Sequence, residues 1–196
     1  MAVPDERGAE QRREPRFALL LRTAKLVAPQ GEFLCIIRDV SAGGVRLRLF
    51  HGLPEGYSQS ILELGNGDQF PVDLVWQGNG EAGFRFSQKV DLEAFVSEAS
   101  PYPKRPIRLR MDVPAVVSFA DRRIAVRLRN ISRQGACIES EELIALHQAL
   151  RIESRHLPEQ EATVCWRKGS QFGLVLDRIM PMADLAERAA AMQGAL

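Results

Sequence analysis

Long apolar runs are missing from this chain, and no stretch approaches the length that a membrane-spanning helix needs. Residues 1–16 carry Asp5, Glu6, Arg7 and Glu10 where a secretory leader would be apolar, so a cytoplasmic location without membrane insertion is expected. Cysteine is scarce and odd in number. Cys35, Cys137 and Cys165 lack paired spacing and sit in apolar, strand-like sequence, which argues against a disulfide framework or a metal site and predicts buried, reduced thiols. His51, His147 and His156 have no recurring partners, so neither metal ligation nor acid–base catalysis is expected of them. The chain also lacks a nucleophile–base pair and a phosphate-cradling loop that opens a helix, so we expect neither an enzyme nor a bound cofactor. With a net charge of only +1 and 7% aromatic residues, it has no basic strand interleaved with stacking rings, and a nucleic-acid partner is not expected.

What the chain does contain is a repetition. Asp39-Val40-Ser41-Ala42-Gly43-Gly44 returns as Asn130-Ile131-Ser132-Arg133-Gln134-Gly135 at an offset of 91 residues. Upstream, Arg12-Arg13-Glu14-Pro15-Arg16 answers to Lys104-Arg105-Pro106-Ile107-Arg108 at an offset of 92. Downstream, Val75-Trp76 with Gly83 answers to Cys165-Trp166 with Gly173 at an offset of 90, a drift that small loop insertions would produce. A chance match would not carry its neighbours along, so the chain is a tandem repeat. Its halves differ in charge: residues 1–100 hold 11 Lys and Arg against 14 Asp and Glu, and residues 101–196 hold 15 against 11. The resulting −3 and +4 favour contact between the two units.

Short segments rich in valine, isoleucine and leucine, punctuated by glycine, proline and asparagine, predict strands throughout. The first copy should hold strands at Ala24 to Val27, Phe33 to Asp39, Gly44 to Leu49, Ser60 to Leu64, Phe70 to Gln77 and Glu81 to Phe86, with Asn79-Gly80 as a tight hairpin. The second should hold them at Ala115 to Phe119, Ile124 to Ile131, Gly135 to Glu139, Ala149 to Glu153, Thr163 to Arg167 and Phe172 to Asp177. Helical patterns follow at Asp91 to Ser97 and at Met182 to Met192, the latter amphipathic and expected to pack on its own unit. The expected architecture is all-β dominated: two tandem six-stranded antiparallel barrels, each with a short C-terminal helix. The domains are expected at 1–99 and 104–196, joined by a linker at 100–103 whose prolines resist regular structure. Trp76 and Trp166 are read as core or barrel-wall aromatics with no binding role.

One polar pattern carries a mechanism: two arginines four apart, then about 23 residues, then Asp-x-Ser-x-x-Gly. Guanidiniums make forked hydrogen bonds to phosphate and to the guanine edge, and they stack on flat rings. Asp39 can accept from guanine N1–H and N2–H, Ser41 can bond locally, and Gly43 and Gly44 permit close backbone approach. These functions describe a guanine nucleotide bearing phosphates. Taken singly, the arginine run reads as a solvated tail and Asp-x-Ser-x-x-Gly as an ordinary turn; joint recurrence favours the ligand.

The arrangement resembles the PilZ family of bacterial cyclic di-GMP receptors over nearly the whole chain. That family's signature is Arg-x-x-x-Arg followed by Asp/Asn-x-Ser-x-x-Gly, with a glycine–hydrophobic pair near the last strand, here Gly83-Phe84. The resemblance implies that Arg12 and Arg16 clamp phosphates and guanines while Asp39 and Ser41 hold a guanine edge, with Arg13, Gly43 and Gly44 among the ligand-binding residues. The second copy departs at Lys104, where an arginine should stand; Arg105, Arg108, Asn130, Ser132 and Gly135 complete a possible second site. Arg105 or Arg110 is a candidate replacement for the missing guanidinium, and a weaker second site is expected. The resemblance also implies a protein partner, not identified by sequence, in motility, biofilm or exopolysaccharide control. The rival expectation is an interaction module of the same fold that binds no nucleotide.

Overall fold

The computed structural model describes residues 17–97 and 106–194. In the first half, β1 (Phe17–Ala28), β2 (Gly31–Ser41), β3 (Gly44–Leu49), β4 (Gln59–Glu63), β5 (Gln69–Gly78) and β6 (Glu81–Phe86) precede α1 (Leu92–Ser97). These strands close a barrel in the order β1-β2-β3-β6-β5-β4. The second half repeats the scheme with β7 (Leu109–Phe119), β8 (Arg122–Ser132), β9 (Gly135–Glu139), β10 (Ala149–Ser154), β11 (Leu157–Lys168), β12 (Gln171–Leu176) and α2 (Met182–Met192), closed in the order β10-β11-β12-β9-β8-β7. The expected domain limits at 99 and 104 fall among residues 98–105, outside the described residues.

Alternation builds each wall. In β3, Val45, Leu47 and Leu49 point inward and are buried, while Arg46 and Arg48 face out. Each fully buried side chain of the first core, such as Phe33, Phe95, Leu26 or Ile37, contributes about 1.5–3 kcal/mol. Asn79 and Gly80 take positive φ of 53° and 73°, as a two-residue hairpin with right-handed strand twist demands. Asp91 caps α1, its Oδ1 accepting from the amides of Glu93 at 2.9 Å and Ala94 at 3.3 Å.

Several strands run longer than their apolar patterns. β1 starts at Phe17 rather than Ala24, β7 at Leu109 rather than Ala115, and β11 at Leu157 rather than Thr163. In a closed barrel each strand has a neighbour on both sides, so polar backbone such as Gln160, paired with Ile152, is drawn into the ladder. The first offset drift arises inside a strand, not in a loop. Between Ala18↔Asp39 and Arg22↔Ile37, three residues of β1 oppose one of β2; in the second copy, between Arg110↔Asn130 and Val113↔Leu128, two residues of β7 oppose one of β8. The additional residue makes a larger bulge, where Leu21 adopts φ 45°.

The barrels meet along the outer face of β1 and β2. Ala24 and Leu26 point into the first barrel, so Lys25 between them points out, yet it is only 4% exposed. Leu34 also points out, is 3% exposed, and belongs to the second barrel's hydrophobic core. Around these two lies a charged network. Lys25 Nζ donates to Glu32 Oε2 at 2.8 Å, pairs with Glu63 Oε1 at 3.1 Å, and donates to the Arg108 carbonyl at 3.0 Å. Glu32 also accepts from the Arg110 amide at 2.8 Å and from Arg110 Nε at 2.6 Å. Burial on its own would raise the Glu32 carboxyl; the hydrogen bonds from Lys25 and from the Arg110 backbone and guanidinium outweigh it and hold that carboxyl below the ordinary carboxylate value. α2 buries Leu185, Ala186, Ala189 and Ala190, but not on its own unit alone as expected: it lies against β2 of the first barrel as well as β7, because Leu34 of β2 joins the second core, and just beyond it Gln193 accepts from the Glu32 amide at 2.7 Å and donates to the Glu32 carbonyl at 3.0 Å.

Candidate functional site

Both motif hexapeptides are hairpins, β2 turning into β3 and β8 into β9. Ser41 pairs with Gly44 and donates to its carbonyl at 3.3 Å; Ser132 pairs with Gly135 and donates to its carbonyl at 3.1 Å. A Cβ on Gly44 would sit 2.6 Å from the Phe84 carbonyl oxygen of β6, and one on Gly135 would collide with the Leu174 carbonyl of β12. Serine and glycine therefore have a structural task in each copy: they shape the turn and let the neighbouring strand approach.

The remaining polar groups of the motif are Asp39, which is buried, and Asn130, which is half-buried. Their settings differ. Asp39 lies opposite Arg46 across β2 and β3, and Arg46 Nε donates to its Oδ2 at 2.7 Å while Arg46 Nη1 lies 3.6 Å from Glu81. Asn130 lies opposite Cys137 instead, and its Oδ1 accepts from Arg108 Nη1 at 2.7 Å. A Cβ on Gly135 would stand 3.7 Å from Arg108 Nη2, so Arg108, Asn130 and Gly135 come together in the second copy. Ser132 is buried beneath them. Arg12, Arg13 and Arg16, and likewise Lys104 and Arg105, lie outside the described residues. Arg110, a sequence candidate for the missing guanidinium, has its Nε and its amide on Glu32 at the joint.

Each hairpin continues into a row across four adjacent strands. In the first barrel it runs Asp39, Arg46, Gly83, Trp76; in the second, Asn130, Cys137, Gly173, Trp166. Trp76 and Trp166 are barrel-wall residues on the outside, not core, with 45% and 40% of their surface exposed. Each indole lies against the facing glycine so closely that a Cβ there would collide with Nε1. The glycine of the late glycine–hydrophobic pair is thus a seat for an exposed aromatic. A bulge before each tryptophan, between Leu74 and Trp76 and between Val164 and Trp166, shifts the alternation and leaves Cys165 exposed rather than buried. Cys35 and Cys137 are buried, and burial raises both thiols.

Sequence reasoning missed Arg46 and the two tryptophans. The signal for the latter was the seven-residue Trp-to-Gly spacing present in both copies. Among the described residues no group of three or more His, Cys, Asp or Glu is placed to hold a metal ion. A groove of about 1490 Å³ runs beside β7, β8 and the end of α2, but Glu139, Glu141, Glu142 and Glu153 on its walls suit an anion poorly.

Residues 10–98 and 104–188 each match the family described as PilZ domain. No curated protein matches the chain. Among solved structures, the Borreliella burgdorferi PlzA protein in complex with c-di-GMP is similar at 11% identity and a TM-score of 0.37, over 91% of this chain and 94% of that one. Bacillus subtilis inhibitor of motility (MotI/DgrA) is similar at 13% identity and a TM-score of 0.35, over 91% and 94%. YcgR from Escherichia coli, in complex with c-di-GMP, is similar at 11% identity and a TM-score of 0.31, over 86% and 81%.

Proposed function

This chain belongs to the PilZ domain family, and from that premise we propose that it is a non-catalytic receptor for cyclic di-GMP. The observation that carries the reading is the outer-face row, in which Asp39 or Asn130 stands beside a guanidinium and three strands from an exposed indole. Asp39 accepts from the guanine N1–H and N2–H edge, and Trp76 offers a flat apolar surface to a ring. Arg12, Arg13 and Arg16 grip phosphate and guanine by forked bonds, with Ser41, Gly43 and Gly44 holding the turn that presents Asp39. In the second copy Arg108, Asn130, Ser132 and Gly135 form the weaker site, with Lys104 and Arg105 as its flanking cations. Ligand capture by the arginine segments changes how the domains pack, and a protein partner in the cytoplasm reads that change.

One observation favours the rival reading, an interaction module without nucleotide: Arg46 already engages Asp39, and turn geometry alone accounts for Ser41 and Gly44. Isothermal titration calorimetry of the full chain with cyclic di-GMP separates the two. Loss of the tighter binding event in Arg12→Ala/Arg16→Ala supports the receptor. No heat at tens of micromolar ligand would reject the receptor in favour of the module.

A further inference from the structure

The face by which the first barrel holds the second exists again on the second barrel, and there it is open. Along β1 and β2, Thr23 meets Met182, Lys25 donates to the Arg108 carbonyl, Glu32 accepts from Arg110 and Leu34 enters the second core. Strand pairing gives each of these positions an equivalent at an offset of 91 residues. Thr23↔Ile36 answers to Pro114↔Arg127, Lys25↔Leu34 to Val116↔Ala125, and Val27↔Glu32 to Ser118↔Arg123. Glu63, opposite Lys25, has its counterpart in Glu153, opposite Val116. Lys25 and Leu34 are 4% and 3% exposed, whereas Val116 is half-buried and Ala125 and Arg123 are exposed. We propose that this face of the second barrel receives the first barrel of another molecule of the same chain, head to tail, as the barrels are joined within one molecule.

The groove of about 1490 Å³ described above is that face, lined by the outward residues Pro114, Val116 and Ala125. Its volume exceeds the roughly 300–1,000 Å³ of a small-molecule site and suits a piece of a protein. Ala191 and Met192, at the end of α2, line it beside Gln193, which bonds Glu32, so the groove continues the joint between the barrels. The charges along it are largely matched within the barrel, Arg123 to Glu153, Arg122 to Glu142 and Arg127 to Asp112. The apolar strip between them is the part that a partner can cover with gain.

The differences between the repeats identify the occupant. Within the molecule Arg110 brings its guanidinium to Glu32. At the open face Glu32 is replaced by Arg123, which would repel an incoming Arg110, so another second barrel fits poorly. A first barrel has Ala18 at that place, since Ala18 pairs with Asp39 as Arg110 pairs with Asn130. It also has Leu21, 59% exposed at a φ of 45°, where β7 has Asp112. The incoming side thus exchanges charges for apolar groups, and the receiving side exchanges Lys25 for Val116. Charge is withdrawn from both sides of one contact, which replaces an ionic joint by an apolar one. Such a contact is heterologous: each molecule keeps one groove and one first barrel to offer, and association runs on into rows unless the rotation closes them.

Sedimentation velocity of the full chain, without ligand and up to hundreds of micromolar protein, tests the proposal independently of the receptor reading. The wild type should sediment faster as concentration rises, passing beyond a dimer. Ala125→Glu places a charge on the strip, and Leu21→Asn removes the incoming leucine while keeping a residue that tolerates positive φ. Each variant alone should stay monomeric with a thermal melt matching the wild type; should Ala125→Glu lower the melt, Pro114→Glu alters the same strip at a second exposed position. An equimolar mixture of Ala125→Glu and Leu21→Asn should form dimers and stop there, because it holds one working groove and one working first barrel per pair. A wild type that stays monomeric throughout overturns the proposal. Association abolished by Ala125→Glu but untouched by Leu21→Asn, with no dimer rescued on mixing, would mean groove-to-groove pairing and overturns it as well.

Discussion

The two barrels share a skeleton and differ in where they spend their charge. In the first, the motif carboxylate is matched by an arginine of its own sheet, Arg46; in the second, a neutral amide faces Cys137 and is engaged by Arg108. The turn serines, the glycines that admit a neighbouring strand and the indole seated on glycine are common to both. The comparison separates what the fold requires from what a ligand would require. Features kept in both copies have structural reasons, and those that vary, Asp39 against Asn130, Arg46 against Cys137 and an arginine against Lys104, are the positions that the proposed receptor role assigns to the ligand.

The sharpest way to break this comparison is to separate the halves. Glu32→Ala removes the acceptor that Lys25 and Arg110 share and leaves the buried Lys25 with Glu63 as its counter-ion, and removing one partner of such a network costs about 3 kcal/mol. Urea unfolding should then resolve two transitions where the wild type shows one. The folded Glu32 carboxyl is held below its unfolded value, so its stabilisation is complete above the ordinary carboxylate range and is lost as pH falls through the lowered value. Acid titration should therefore weaken the joint, and a joint stability that rises on acidification would contradict the network. Next in size, Arg16→Ala should lower overall cyclic di-GMP affinity by roughly 10- to 100-fold, as expected for a hydrogen bond to a charged group, and Arg108→Ala by less. Equal losses would erase the ranking of the sites.

Gly83→Ala and Gly173→Ala should each displace their indole and cost about 1–3 kcal/mol by overpacking. Because each barrel holds one tryptophan, intrinsic fluorescence reports each change separately, and a silent spectrum in either variant would remove the indole from its seat. The smallest effect belongs to Arg46→Ala. Its guanidinium is half-exposed, so water can replace it at the largely buried Asp39 carboxylate, and thermal or chemical unfolding should shift by about 1 kcal/mol.

Much of the fold was legible because the signals were local and doubled. Alternation in Gly44–Leu49, the Asn79-Gly80 turn and the helix at Met182–Met192 follow from backbone sterics and periodicity. The joint was not legible. Lys25, Glu32 and Leu34 occupy positions that point away from their own barrel, where a charge ordinarily meets water, and only a second body explains their burial. The outward tryptophans were hidden by bulges, since one additional residue reverses the face on which a strand's later side chains stand. The bulge at Leu21 looked like a loop insertion for the same reason. At the candidate site the motif positions were readable, but Arg46 was not, because its role depends on a register across two strands.

Gln193, which follows α2 and pairs with both backbone groups of Glu32, has a consequence for biosynthesis. A nascent chain presents its first barrel before the second exists. During that interval Leu34 is an apolar residue on an open sheet surface, and Lys25, Glu32 and Glu63 surround it with charge. The ions that later lock the domains together thus begin as gatekeepers, discouraging the half-made protein from pairing with its neighbours on the ribosome until α2 arrives.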